Sequence, residues 1–450
     1  MKSFLGFVFQ LVFILPFTGF SQSSIGEKPN IIFILADDLG YGDLSVTGGT
    51  DVKTPNIDAL AAKGMLLKNF YANSTVCSPS RAALLTGKYP DMVGVPGVIR
   101  QHEKDSWGYM KEDAILLPTV LKKSGYQTAI IGKWHLGFEK PNIPNHKGFD
   151  HFKGFLGDMM DDYYTHRRDG VNWMRLNEKE IDPKGHATDL FTAWAMDYVV
   201  EKSKSTSPFF LYLAYNAPHF PIQPPAAFLE KVKQREPDAT ELRAKNIALV
   251  EHLDASIGKL MAALEASSQI NNTIIVFSSD NGGSLPHGQS NGTLNGGKQD
   301  MLEGGIKVPA IVFWKNKVPA GTVSDQMGLL MDFFPTLADI AGARLEHQVN
   351  GINLLPVLKG AAPIAKDRTV FWMRREGGQH NGLAYYAARK GQLKILQNNP
   401  FEPLKAYDME KDPLEKSPLN TKENKQLQEL KSALQEHIRR SGKIPWQKPN

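Results

Sequence analysis

The chain of 450 residues has a single cysteine, Cys77, inside the run "VCSPSRAALLTGKYP". Pro79 stands where a helix can start, and Arg81 follows Cys77 by one turn, so both side chains can face one point. Free N–H donors at a helix start, with a guanidinium beside them, make a place for an anion. Two other segments end in hard oxygen donors: "NIIFILADD" closes on Asp37 and Asp38, and "NTIIVFSSDNGG" carries Asp280 and Asn281. Acids after a strand often only cap the next turn. In an open α/β sheet, however, ligands collect beyond the carboxyl ends of strands, and three carboxylates with one amide oxygen suit Ca²⁺ or Mg²⁺ far better than zinc.

The elements that must position these groups follow the alternation of an α/β protein. The run over 30–38 is continuously apolar, the pattern of a central strand buried on both faces. Pro55 and Gly64 bracket a helix, and a strand follows over 65–71. Further strands are expected at 128–131, 208–215, within "NTIIVFSSDNGG" and at 308–314, with helices near 188–201, 241–266 and 327–341. Composition shifts at "KGAAPIAKD". Beyond it "RTVFWMRRE", "LAYYAARK" and "QLKILQN" read as a small antiparallel sheet, followed by a polar helix near 423–439. The expected organisation is a leader over 1–21, a catalytic unit over 22–362 and a small α+β unit over 363–450.

The leader is read from Lys2, an uncharged apolar run from Phe4 to Phe17, and small polar residues before a cut after Ser21. That run is shorter than the roughly 20 residues that span a bilayer. The expected product is therefore an exported protein, periplasmic or secreted, without a membrane anchor. One cysteine cannot form a disulfide within the chain. In an exported protein it marks a reactive group or an intermolecular bridge, unless it is only a small buried hydrophobe. The net charge of +5 over 450 residues demands neither nucleic acid nor a membrane surface, and it tolerates an anionic substrate.

Cys77-Ser78-Pro79-Ser80-Arg81, followed by Leu85-Thr86-Gly87-Lys88, resembles the C-x-P-x-R…L-T-G-[RK] signature of the formylglycine-dependent (type I) sulfatases of the alkaline phosphatase superfamily. Lys88 stands where arginine is frequent, and lysine is also common there. "PNIIFILADDLGYGD" and "DNGG" resemble the family's two metal motifs, "GKWHLG" its lysine and histidine motif, and "APHFP" its sulfate-binding histidine motif. "GGKQDMLEGGIKVP" is similar to its second lysine motif, and "YDMEKDPLE" to the strand closing its C-terminal sheet. The resemblance spans nearly the whole mature chain. It implies a large mixed sheet sandwiched by helices, as in alkaline phosphatase, with a smaller C-terminal antiparallel sheet and helix.

What the resemblance implies for chemistry is specific. Cys77 would be converted by a formylglycine-generating maturation enzyme to an aldehyde, 3-oxoalanine, whose hydrate is the nucleophile; a serine could form the sulfate ester but lacks the second hydroxyl that expels sulfate. Asp37, Asp38, Asp280 and Asn281, with the modified Cys77, would hold one Ca²⁺ as Lewis acid and template. Arg81, Lys133 and His135 would stabilise the hydrate or its oxyanion. His219 and Lys298 would bind the sulfate, one of them protonating the leaving alcohol.

The substrate class implied is a sulfated polysaccharide or its oligosaccharides, algal such as ulvan or carrageenan, or a glycosaminoglycan. Candidates for sugar recognition lie outside the shared motifs: Arg100, His102, Asp161, Asp162, Arg167 and His287, and Arg374, Arg375 and His380 in the small unit. Two other readings compete. A phosphonate or phosphodiester hydrolase of the same superfamily shares C-x-P-x-R, but "GKWHLG" and "APH" lean towards sulfate. A sulfated-glycan binding protein that has lost catalysis would lack a site residue, and none is missing.

Overall fold

The structure is a computed structural model that describes residues 28–377, 381–420 and 424–449. The expected leader over 1–21 and His380 lie outside these residues. The apolar strands assemble into a ten-stranded mixed sheet, in the order Thr322–Ser324, Met65–Leu67, Ala310–Trp314, Thr273–Ser279, Asn30–Ala36, Phe209–Ala214, Gln127–Lys133, His151–Phe155, Met174–Leu176, Lys179–Glu180. Its middle, from Thr273–Ser279 to His151–Phe155, is wholly parallel, and antiparallel strands flank it on both sides. Parallel strands are covered on both faces, which is why Asn30–Ala36 carries no polar alternation.

Alternate residues of that strand enter different cores. Ile31, Phe33 and Leu35 pack with Ala82, Leu84 and Leu85 of the Cys77–Thr86 helix and with Phe333, Phe334 and Leu337 of the Phe333–Ile340 helix. Ile32, Ile34 and Ala36 face the long helix Glu241–Ala266 and the helices Pro55–Ala62 and Ala187–Lys202. The sheet is thus the filling between two helical layers, and only its strand ends are free for chemistry.

Thr369–Arg375, Ala384–Lys390, Leu393–Gln397 and Lys405–Asp408 form a four-stranded antiparallel sheet. One face takes the amphipathic helix Lys425–Ser441 through Leu427, Leu430 and Leu434. The other packs on the large unit: Trp372 and Tyr385 meet Tyr71, Ala83 and Met301, and Trp372 Nε1 donates to the Ala72 carbonyl at 2.8 Å. Beneath this seam Lys394 is fully buried between Glu303 (3.0 Å) and Glu415 (2.7 Å). Tyr71 donates to Glu303 at 2.8 Å.

Three elements differ from expectation. The strand over 65–71 is two strands, because the chain turns at Lys68-Asn69: Met65–Leu67 joins the large sheet, while Phe70–Tyr71 pairs with Gly328–Leu329. That pairing uses residues assigned to a helix starting at 327, so the helix begins only at Phe333. The helix that carries Cys77 starts at Cys77, not at Pro79, and Pro79 sits within the first turn, where a missing N–H costs nothing.

Gly87 ends that helix in the left-handed conformation (φ +67°), its N–H donating to the Ala83 carbonyl at 2.9 Å. A Cβ there would lie 2.8 Å from the Phe334 ring. Both the backbone and the space exclude a side chain, so Gly87→Ala is expected to cost on the order of 1–3 kcal/mol and lower Tm in a thermal melt. An unchanged Tm would contradict this reading of the "LTG" segment.

Candidate active site

Asn30–Ala36 and Thr273–Ser279 are neighbours in register, with Ala36 opposite Ser279. The residues that follow each strand therefore leave the sheet side by side. Asp37 and Asp38 come from one strand end and Asp280 and Asn281 from the other, all four buried. Asp38 has φ +63°, a conformation that costs a non-glycine residue energy and persists only where surroundings enforce it. Here its N–H donates to Asp280 Oδ1 at 3.1 Å and its Oδ1 accepts from Asn281 Nδ2 at 2.8 Å.

Cations from three other elements meet these carboxylates. Arg81 donates to Asp280 Oδ2 through Nε at 3.0 Å and Nη2 at 2.7 Å, and Nη2 lies 3.3 Å from Asp37. Lys133, the last residue of its strand, donates to Asp37 Oδ2 at 2.6 Å. Lys298, in the glycine-rich loop, donates to Asp38 Oδ2 at 2.7 Å. Cys77 opens its helix with Sγ 3.7 Å from Asp38 Oδ1. Burial, and then Asp280 and Asp37, push the Cys77 thiol well up, so it stays protonated and is a poor nucleophile as it stands.

Burial raises the cost of ionising each acid, and the neighbours decide the outcome. Against that burial, Lys133 leads in holding Asp37 low, and His219 and Lys298 hold Asp38 low. Asp280 is pushed up, by burial and then by Asp37, even with Arg81 against it. Asn281 Oδ1 and Asp37 Oδ1 are buried acceptors without a hydrogen bond. Oxygen atoms left over among crowded carboxylates are what a hard divalent cation takes, and the donor set fits Ca²⁺.

Two histidines complete the group. His135 (φ +59°) donates from Nε2 to the Ile99 carbonyl at 3.0 Å, which leaves Nδ1 a buried lone pair with no hydrogen-bond partner. His219 gives its Nδ1 proton to the Phe220 carbonyl at 2.6 Å, so Nε2 accepts from Lys298 at 3.1 Å. Burial lowers the affinity of both imidazoles for a second proton. The side chains of His219 and Lys298 are 11% and 15% exposed, whereas those of Asp37, Asp280, Arg81 and Lys133 are at 0%. An incoming anion therefore meets His219 and Lys298 first.

The sequence of the Sulfatase family model matches residues 29–343, and that of the N-sulphoglucosamine sulphohydrolase C-terminal region matches 297–443. The chain belongs to the sulfatase family. This sulfatase is 36% identical over 409 residues to the N-acetylgalactosamine-6-sulfatase of Mus musculus, spanning 86% of this chain and 75% of that one. It is 32% identical over 403 residues to arylsulfatase A of Homo sapiens, covering 82% and 75%. The crystal structure of Ps i-CgsB in complex with k-i-k-neocarrahexaose superposes with a TM-score of 0.85 at 32% identity, covering 94% of this chain and 95% of that one. The protein is a sulfuric ester hydrolase.

The residues expected to read the sugar are placed less uniformly than the core of the site. His287 is at the mouth, stacked on the exposed Phe220 ring at 4.6 Å. Arg100 is half-buried on Glu376 at 3.1 Å, and His102 is exposed beside it. Asp161 pairs with Arg168 at 2.9 Å and Arg167 with Asp182 at 3.0 Å. Asp162 shapes a turn, accepting from the amides of Tyr164 and Thr165 and from Gln223. The residue of that segment nearest the site is Tyr163, which sequence reasoning passed over. Its buried hydroxyl bridges the carbonyls of Asn216 (2.8 Å) and His219 (2.9 Å). The available signal was an aromatic ring in a charged stretch.

Arg374 also differs from expectation. It does not project from the rim: it is buried, stacked on Tyr385 at 4.9 Å, and donates to the carbonyl of Gln299, next to Lys298, at 3.1 Å. Arg375 instead lies over Trp446 at 5.4 Å. Arg374→Ala is therefore expected to lower kcat on a small aryl sulfate by about tenfold by loosening the Lys298 loop, while Arg375→Ala stays within about twofold. Full aryl sulfate turnover in Arg374→Ala would show that this contact does not hold Lys298.

Proposed function

We propose that this sulfatase is an exported enzyme that hydrolyses sulfate esters on a sulfated polysaccharide or its oligosaccharides, algal or glycosaminoglycan. The observation that carries the reading is the meeting of Cys77, Arg81, Lys133, His135, His219 and Lys298 around the carboxylates at two adjacent strand ends. The glycan assignment is supported by the substrate named for the Mus musculus relative and by the oligosaccharide held by Ps i-CgsB. Export is supported by the leader pattern over 1–21; among the described residues no helix is long and apolar enough to cross a membrane. The division into 22–362 and 363–450 belongs to the same proposal.

Formylglycine made from Cys77 by a maturation enzyme supplies a hydrated aldehyde as nucleophile. One Ca²⁺ on Asp37, Asp38, Asp280, Asn281 and the modified Cys77 supplies Lewis acidity. The remaining work is done by side chains already in position. Arg81 and Lys133 balance the charge of Asp280 and Asp37 and keep positive potential beside the nucleophile. His135, with Nε2 committed to Ile99, offers the Nδ1 lone pair to a hydroxyl proton. Lys298 and His219 bind the sulfate oxygens from the solvent side. The proton they share passes to the bridging oxygen as the alcohol departs.

The test is the chemistry of Cys77. Expressed with a maturation enzyme, the protein is expected to yield a Cys77 peptide about 18 Da lighter than the thiol form and to desulfate sulfated oligosaccharides. Cys77→Ala is expected to stay folded and lose all turnover. Full activity with a wholly unmodified Cys77 would overturn the reading.

A further inference from the structure

One backbone residue, Ile99, touches two parts of the catalytic group. Its carbonyl accepts from His135 Nε2 at 3.0 Å, and its amide donates to the hydroxyl of Ser78, next to Cys77, at 3.1 Å. From Ile99 the chain continues along a cavity of about 910 Å³ that Leu136 and Gly137, the residues after His135, also line. That size falls within the roughly 300–1,000 Å³ of ligand sites. Nothing in the chemistry above uses it.

Its walls are aromatic pairs. Trp107 and Trp446 stack at 5.3 Å with 17° between planes, and Phe138 meets Trp173 edge-on at 4.8 Å. The first pair is built in from both sides. A Cβ at Gly377 or Gly382 would lie 2.7 Å or 2.6 Å from the Trp107 indole, so the chain at these two positions can press against that ring only because they are glycines. The Arg375 guanidinium lies over Trp446 at 5.4 Å. At the rim are Arg100, held by Glu376 at 3.1 Å, and the exposed Lys104, with the exposed Glu103 and the paired Glu139 and Lys448 also on the lining. Indole walls with polar edges suit a pyranose, which has apolar C–H faces and a belt of hydroxyls. Cations at the rim suit its sulfates.

We propose that this cleft is a glycan-binding subsite: it holds the sugar rings that continue the chain from the unit desulfated beside Cys77, with Lys104 and Arg100 facing a further sulfate. It rests on the glycan-sulfatase reading. Adjacency favours this occupant over a peptide or a second protein copy, because Ile99, which bonds His135 and Ser78, and Leu136, which follows His135, both line the cleft. It also gives Arg375 a place in recognition, as the clamp on Trp446.

The test uses matured enzyme with three substrates: a small aryl sulfate, a sulfated monosaccharide, and sulfated tetrasaccharides derived from carrageenan and from galactosaminoglycan. Wild type is expected to prefer a tetrasaccharide. Trp446→Ala and Lys104→Ala are expected to lower kcat/KM on it by about three- to tenfold, while the aryl sulfate and monosaccharide stay within about twofold. No loss on the tetrasaccharide in either variant, or equal losses on all three substrates with an unchanged Tm, would overturn the subsite and leave the glycan reading standing. Wild type that turns over the aryl sulfate but no sulfated sugar of any length would overturn the glycan reading itself.

Discussion

Three carboxylates and an amide oxygen crowd beyond the ends of two neighbouring parallel strands, and the rest of the structure answers that concentration of negative charge. Two such charges about 4 Å apart repel by about 4 kcal/mol even at an effective dielectric of 20. The register that puts Ala36 opposite Ser279 makes the crowding unavoidable. Arg81 from a helix reaches Asp280 and Asp37, Lys133 from the end of another strand reaches Asp37, and Lys298 from a loop reaches Asp38. These contacts fix where the cations stand, and so fix the positive wall that a sulfate ester meets. Removing any one leaves a buried charge without its partner, which typically costs about 3–5 kcal/mol.

The small sheet is tied to the same centre by polar contacts as well as by packing. Ser74, three residues before Cys77, donates to the carbonyl of Met373 at 3.2 Å, and Arg374 donates to Gln299 beside Lys298 at 3.1 Å. The buried Glu303–Lys394–Glu415 group anchors the segment that follows the Lys298 loop. Thr369–Arg375 thus fastens both the segment that leads into the Cys77–Thr86 helix and the loop that presents Lys298. At its end Arg375 lies over Trp446 and Gly377 presses on Trp107, and both indoles line the 910 Å³ cleft. Positioning and recognition are handled by neighbouring residues of one strand.

The parts legible in the sequence were those set by local pattern. Continuous apolar runs showed four of the five parallel strands, and the Glu241–Ala266 helix lies where it was expected. The spacing of Cys77 and Arg81 and the acids at two strand ends were readable because each chemical group stands at the end of a strong element. Other features depend on tertiary contacts that one sequence does not display. Gly328–Leu329 reads as helix until it pairs with Phe70–Tyr71. Arg374 reads as a surface cation until the Tyr385 ring and the Gln299 carbonyl enclose it. The short strands His151–Phe155 and Met174–Leu176 carry too few residues for a period to show.

The central claim is that Asp37, Asp38, Asp280 and Asn281 form a cation site. Its most direct test is thermal unfolding of chelator-treated protein as Ca²⁺ is titrated back, with Asp38→Ala alongside. A ligand that binds only the folded state stabilises it by about 2.7 kcal/mol at a hundred times its Kd. The expected result is a wild-type Tm that falls on chelation and climbs with Ca²⁺, and a variant Tm that does neither. A wild-type Tm indifferent to both chelator and Ca²⁺ would contradict the claim.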